Sequence, residues 1–392
     1  MQTNSASSAC LSGALVRLLA IGAGAAVANS YYNQAFLGHL TADFELTAGA
    51  AAIIPVLTQG GNALGVLFLA PLGDRLERKS LILMTISALV AALIGAALSR
   101  GFVWLAVASL AVGLFATVAQ QIVPLAVHLA PPAERGRILG KVTGGILIGI
   151  LIARTVSGTI SDLWGWPFVF WLAAGLMIAI GGALALWLPR GEPTTDLSYP
   201  RLIGSLWTLV RTHRVLRQAV AVQFLIFAAF IGFWSNLALL LLEPPYRLGG
   251  TAVGLLALVG VAGALAAPIA GGFADRRGPA VVVSTGAGLV VAAFAIFGLW
   301  QGSLVGLVIG ILIMDLAVQS SQVANQARVY ALDPTARSRL NTVFMASMLL
   351  GGAAGAGVGG AAYAAWGWTG TCTFGAISAG LGLALSRRFD AR

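Results

Sequence analysis

The chain has 392 residues, 58% of them hydrophobic and 9% charged, with a mean hydropathy of +0.91. An ordinary soluble domain carries roughly a quarter charged residues, and its polar surface could not cover this much apolar side chain, so a water-soluble globule is excluded. The net charge of +10 and pI near 10.6 would suggest nucleic acid for a soluble chain; in lipid, the placement of charge matters more than its sum.

A spanning helix needs roughly 20 mostly apolar residues. Apolar runs broken by Pro, Gly and charge predict spans at 15–37, 48–71, 80–99, 102–129, 138–162, 166–188, 215–242, 252–273, 280–299, 303–330, 340–364 and 368–386. The expected fold class is therefore an all-α membrane protein of twelve transmembrane helices. The long polar stretch 189–214 divides them into six-helix halves at 1–188 and 215–392, with a cytoplasmic linker between. Arg17, the run Leu18 to Val27 and the Ala26-Val27-Ala28 step before Asn29 also fit a signal peptide. The internal repeat described below requires the same segment as a retained first helix.

Of the 23 Lys and Arg residues, 20 fall on the side of the N-terminus. Arg100 and Arg247 alone lie opposite, and Arg154 sits inside a span. By the positive-inside rule both termini are expected in the cytoplasm of a bacterial inner-membrane protein.

The halves repeat. Trp164-Gly165-Trp166 recurs as Trp366-Gly367-Trp368 and Arg135-Gly136-Arg137 as Arg337-Ser338-Arg339, both at an offset of 202. Asp74-Arg75 recurs as Asp275-Arg276, at 201. Parallel repeats with a site between them are a common plan of secondary transporters.

The loop after the second span reads Ala70-Pro-Leu-Gly-Asp-Arg-Leu-Glu-Arg-Lys79. It resembles the G-x-L-A-D-R-x-G-R-[KR] signature of the major facilitator superfamily, and Gly271-Gly-Phe-Ala-Asp-Arg-Arg-Gly278 is a second partial copy. The resemblance covers essentially the whole chain and implies alternating access. A carboxylate beside basic residues at a helix end can make charge-assisted contacts that form in one access state only. Gating is accordingly expected from Asp74, Arg75, Arg78, Asp275 and Arg276, and from a second set, Glu134, Arg135, Asp333, Arg337 and Arg339. The fifth span, with Gly140, Gly149, Ala153-Arg154 and Ser157-Gly158, is similar to the G-x8-G-x3-G-P-x2-G-G motif of the drug:proton antiporter branch. Alanine, arginine and serine replace a glycine, the proline and a further glycine. The arginine usual in that branch's fourth span is Ser109 here. The resemblance implies proton-coupled efflux, with proton-symport or uniport uptake as the alternative.

Two ionisable residues lie well inside spans, and such residues point to function. Arg154 is about 25 Å from the cytoplasmic end of its helix and Asp315 about 18 Å from the outer end of its own, near the midplane. In the superfamily fold the first, fourth, seventh and tenth helices line the cavity. Asp315 is thereby expected as the proton-sensitive carboxylate, and Arg154 as a substitute for the missing arginine that pairs with it in one access state. Gln319, Gln322 and Gln326 share one face of the tenth span, and Gln120 is the counterpart of Gln322 at an offset of 202. With Asn29, Tyr32 and Asn33 on the first span and Asn236 on the seventh, they suit a small neutral or amphipathic organic solute.

Gly351, Gly355 and Gly359 predict close packing in the eleventh span, at the sliding interface between halves. His39, His128 and His213 read as interfacial or solvated residues. No nucleophile–base pair or metal cluster points to an enzyme, and no cofactor, metal or nucleic acid is expected. The expected partners are the lipid bilayer, a small-molecule substrate and protons, with the chain acting as a monomer.

Overall fold

The computed structural model describes residues 12–131, 134–189, 198–265, 278–333 and 336–390, without the side chains of Asp74, 261–265, 389 and 390. Among the described residues the chain is helical with no strand. The first half holds α1 (Gly13–Ala28), α2 (Leu37–Asp43), α3 (Ala48–Ala51), α4 (Ile53–Phe68), α5 (Leu72–Arg75), α6 (Arg78–Ala97), α7 (Phe102–Phe115), α8 (Val118–Leu129), α9 (Arg135–Trp164) and α10 (Trp166–Trp187). After α11 (Tyr199–Thr212), the second half holds α12 (Arg214–Leu242), α13 (Gly250–Leu265), α14 (Pro279–Leu299), α15 (Leu304–Tyr330) and α16 (Arg337–Asp390). Nine helical stretches among the described residues are long and apolar enough to cross a membrane. The last of them bends at Trp366 and Gly367 into two. With the shorter apolar helices Gly13–Ala28 and Gly250–Gly260 the set reaches twelve.

Two expected spans are broken. The span expected at 15–37 stops at Ala28, where the Asn29 amide turns back to donate to the carbonyls of Ala25 and Ala26 at 2.8 and 3.2 Å. Short amide side chains compete with the backbone in this way. A 3₁₀ turn over Tyr32–Gln34 then leads into α2. The fourth span parts at Ala116–Thr117, between α7 and α8.

The sequence repeat is visible as a corner. Gly165 and Gly367 have φ of 82° and 58°, a region that favours glycine. In each copy the Trp before the glycine is exposed (Trp164, Trp366) and the one after is buried (Trp166, Trp368). The buried indoles donate to the Asp43 carboxylate at 2.7 Å and to the Phe297 carbonyl at 3.2 Å. One patterned turn thus joins the fifth span to the sixth and the eleventh to the twelfth.

Helix α12 is the core of the second half, buried continuously from Ile226 to Leu241. The row Gly351, Gly355, Gly359 presses on it: a methyl group at these positions would meet the backbone of Phe224, Ala228 and Gly232. That row therefore serves packing within one half, which corrects the expected sliding-interface role. Its neighbours Gly357 and Gly360 face Val56 and Ala52 of the first half. A single interrupted stripe of small residues lets one helix approach partners on two sides.

The linker contains an element that polarity alone did not predict. In α11, Leu202, Leu206 and Leu209 are buried, at the spacing of one helical face. Leu206 and Leu209 join a cluster with Leu216, Val329, Leu340 and Phe344 of the second half.

Candidate functional site

A cavity of about 710 Å³ lies between the halves. Its walls come from the first, fourth, seventh and tenth spans and, beyond that expectation, from the second, third, fifth and eleventh. It runs from Tyr31, Arg154, Phe230 and Asp315 at its deep end to Arg135 and Arg337 at its mouth. Both mouth arginines are exposed, so the cavity reaches solvent at the arginine-rich end of the bundle.

Arg154 is fully buried on α9. Its Nε–H donates to Gln34 Oε1 at 2.8 Å. Three rings surround the guanidinium, with Cζ at 4.2 Å from the Trp234 centroid, 5.2 Å from Tyr31 and 5.8 Å from Phe230. Cation–π attraction of this kind strengthens when the cation is desolvated. The break after α1 is what allows it, because it turns Tyr31 and Gln34 toward α9.

Asp315, on α15, is 3% exposed and packs against Gly260 of α13. Arg154 and Asp315 line the same cavity from opposite halves, yet they form no direct ion pair. Arg154 Nη2 and Asp315 Oδ2 are both buried without a hydrogen-bond partner. The expected pairing across the halves is therefore not a direct contact in this structure. A gap flanked by two unmet polar atoms is a site able to accept a polar group or a proton.

The polar face of α15 does line the cavity, through Gln319, Gln322 and Gln326, with Gln120 opposite on α8. Gln326 donates to Asn341 Oδ1 at 2.8 Å and to the Tyr330 hydroxyl at 3.0 Å. Asn29, Tyr32, Asn33 and Asn236 stand outside the lining. Asn33 donates to the Thr58 hydroxyl at 2.8 Å, and Asn236 to the Gly232 carbonyl and the Thr371 hydroxyl at 3.0 and 3.1 Å. These amides hold helices together, and Tyr31 rather than Tyr32 faces the cavity. One polar strip on a broken helix cannot present all its residues to one side.

Of the expected gating residues, Arg78, Arg135 and Arg337 line the cavity, Arg78 buried and the other two exposed at its mouth. Arg78 Nε–H donates to the Gly73 carbonyl at 3.1 Å, and Arg337 Nε–H to the Tyr330 carbonyl at 3.3 Å. Arg75 is exposed on α5, Glu134 precedes the first turn of α9, and Asp333 and Arg339 flank the start of α16 without lining the cavity. Asp275, Arg276 and the side chain of Asp74 lie outside the described residues.

The opposite end is sealed by contacts that the motifs did not announce. Asp162, near the end of α9, accepts from the Gly250 N–H at 3.0 Å and from the Thr251 N–H and hydroxyl at 2.7 Å each. It thus caps the N-terminus of α13 from the other half, where a carboxylate meets both unpaired N–H groups and the positive end of the helix dipole. His39 Nε2 lies 3.3 Å from Asp162 Oδ1, so this histidine is a partner rather than a free surface group. Thr155 donates to the Gly254 carbonyl at 2.9 Å, and Gly158 faces the Gly250 backbone so closely that a side chain has no room. Farther along α9, Gly145 and Gly149 pack on the backbone of Ala20 and Gly24 in α1. The small-residue frame of the fifth span thus keeps close approaches in both directions despite its missing proline.

Comparison with known proteins agrees with this architecture. A family model described as the Major Facilitator Superfamily matches residues 19–329. The uncharacterized transporter YgaY of Escherichia coli O157:H7 is 42% identical over 374 residues, 94% of each chain. A Streptomyces coelicolor protein named "Probable transporter SCO4007" is 34% identical, covering 92% of this chain and 85% of its own. Among solved structures, the nucleoside transporter NupG superposes with a TM-score of 0.77 at 15% identity, covering 96% of this chain and 98% of that one. At that identity the likeness speaks for the fold alone.

Proposed function

The chain belongs to the Major Facilitator Superfamily, and on that premise we propose that this integral membrane transporter is a proton-coupled exporter of small organic molecules, akin to the drug:proton antiporter branch. Membership makes it a transporter and not an enzyme. In this reading residues 1–188 and 215–392 are the moving halves, 189–214 links them, and the arginine-rich end faces the cytoplasm. The cavity then opens inward, while the Asp162 cap on α13 is the latch of the closed outer side.

The observation that carries the proposal is the pair of buried charges at the deep end, one from each half, which do not bond to each other and each keep one unmet polar atom. A proton arriving at Asp315 removes one charge of the pair and changes what Arg154 attracts. That is the coupling an antiporter needs: substrate and proton compete for one arrangement. The other titratable groups lining the cavity are Tyr31 beside Arg154, His128 and Tyr330 farther out, and Arg78, Arg135 and Arg337 toward the mouth.

Proteoliposomes loaded with a pH-sensitive dye and challenged with a library of small organic compounds test this reading. Compounds that move protons through wild type should fail to do so through Asp315→Asn, while His128→Asn should retain the response. Equal proton movement in wild type and Asp315→Asn would remove Asp315 from coupling. Accumulation driven in the same direction as the proton would replace export by symport.

A further inference from the structure

The deep charges also bear on what the cavity carries. Its described lining includes Arg78, Arg135, Arg154 and Arg337 but a single carboxylate, Asp315. The other three arginines belong to a positive-inside distribution whatever the cargo, so the inference rests on Arg154. This guanidinium is fully buried at the end of a cavity, with Nη2 unmet and only Nε bonded to Gln34. A buried unmet donor is costly unless something visits it. The rings of Trp234 and Tyr31 lie 4.2 and 5.2 Å from Cζ, and the unmet Nη2 belongs to the N–H edge, the part of a guanidinium that grips a carboxylate through two parallel hydrogen bonds. Beyond it the wall is apolar, with Phe227 and Phe230 stacked at 5.6 Å and Met345 and Met348 beside them in the lining.

A cationic cargo would enter a space holding four guanidiniums, and a neutral one would leave the charge on Arg154 unanswered. We propose that the site takes a small organic carboxylate with a flat apolar body, the carboxylate held by Arg154 and the body lying against Phe227 and Phe230. The assignment rests on the reading of this cavity as the transport site.

Equilibrium binding tests the cargo class without needing transport. Purified full-length protein is titrated with benzoate, phenylacetate and 2-naphthoate, with their amides, and with benzylamine as the matched cation, by calorimetry and thermal shift. The carboxylates are expected to bind and stabilise wild type, and the amides and the amine to bind about tenfold more weakly or worse. Arg154→Gln should lose the preference for carboxylates, whereas Asp315→Asn should keep it. The proposal is overturned if amides or amine bind as well as the acids, if no carboxylate binds wild type, or if Arg154→Gln keeps the preference. Should Arg154→Gln fail to fold, the wild-type comparison of acid, amide and amine still decides. Failure of the coupling reading looks different: carboxylates bind, and Asp315→Asn still moves protons with them.

Discussion

The two ends of α9 do opposite things with the same helix. Toward Arg135 its residues Leu139, Thr143 and Leu147 are cavity wall. Toward Trp164 its residues Thr155, Gly158 and Asp162 are bonded to or pressed on α13 of the other half. The sealed end is built from small side chains that let backbones touch, plus one carboxylate answering a helix N-terminus. The open end is apolar wall that finishes in two long, exposed charged side chains, Arg135 and Arg337. Closure here relies on close backbone approach, which is easily blocked by a single methyl group, whereas the open end tolerates change because its side chains reach into water.

Crowding the sealed end should have the largest effect. Gly158→Val places a branched side chain on the Gly250 backbone, and overpacking of this kind costs about 1–3 kcal/mol. Spin labels at the exposed positions Leu163 and Val305 of a cysteine-free variant should report a wider outer end, with transport lost. Gly149→Val crowds α1 in the same half instead; it should lower thermal stability by a similar amount and leave the Leu163–Val305 distance unchanged. If both variants open the outer end alike, the division between latch and internal packing is wrong.

Next in size is Asp162→Ala, which strips the cap from α13. Losing such a cap costs about 1 kcal/mol and up to about 2, roughly a fivefold to thirtyfold shift in population toward the outward-open state. The same spin-label pair reads it as a second distance peak. His39→Ala should be smaller, under about 1 kcal/mol, because the pair is partly exposed and screened by salt. Smallest of all, Arg135→Gln at the mouth should leave both states populated as before and only lower the on-rate of an anionic probe at low ionic strength, an effect that salt erases.

Much of this was legible in the sequence because lipid imposes strong rules. Span length, arginine placement and the repeat at 202 all leave marks that need no tertiary information. Arg154, Asp315 and the glutamines of α15 were legible for the same reason, as polar groups where hydrocarbon penalises them. The break after Ala28 was not, since the polar run 29–34 fits a cavity-facing helix end as well as a helix that the Asn29 side chain terminates. That single break decides that Tyr31 and Gln34 meet Arg154 and that Tyr32 does not. The role of Asp162 was not legible, because the capped N–H groups lie 88 and 89 residues away and carry no side-chain signature. The helix in the linker was written in the spacing of its three leucines but hidden by the surrounding charge.

That linker helix has a mechanical consequence. It is glued to the second half by Leu206 and Leu209, while the Tyr199 hydroxyl donates across to the Phe68 carbonyl of the first half at 2.9 Å. Burial raises the Tyr199 phenol above the usual tyrosine range, so it stays protonated and able to donate at physiological pH. The connection between the halves is thus a strut fastened firmly on one side and pinned by one bond on the other. If the halves rock as proposed, the Tyr199 bond is the contact expected to break, a shear pin beside an apolar joint that holds.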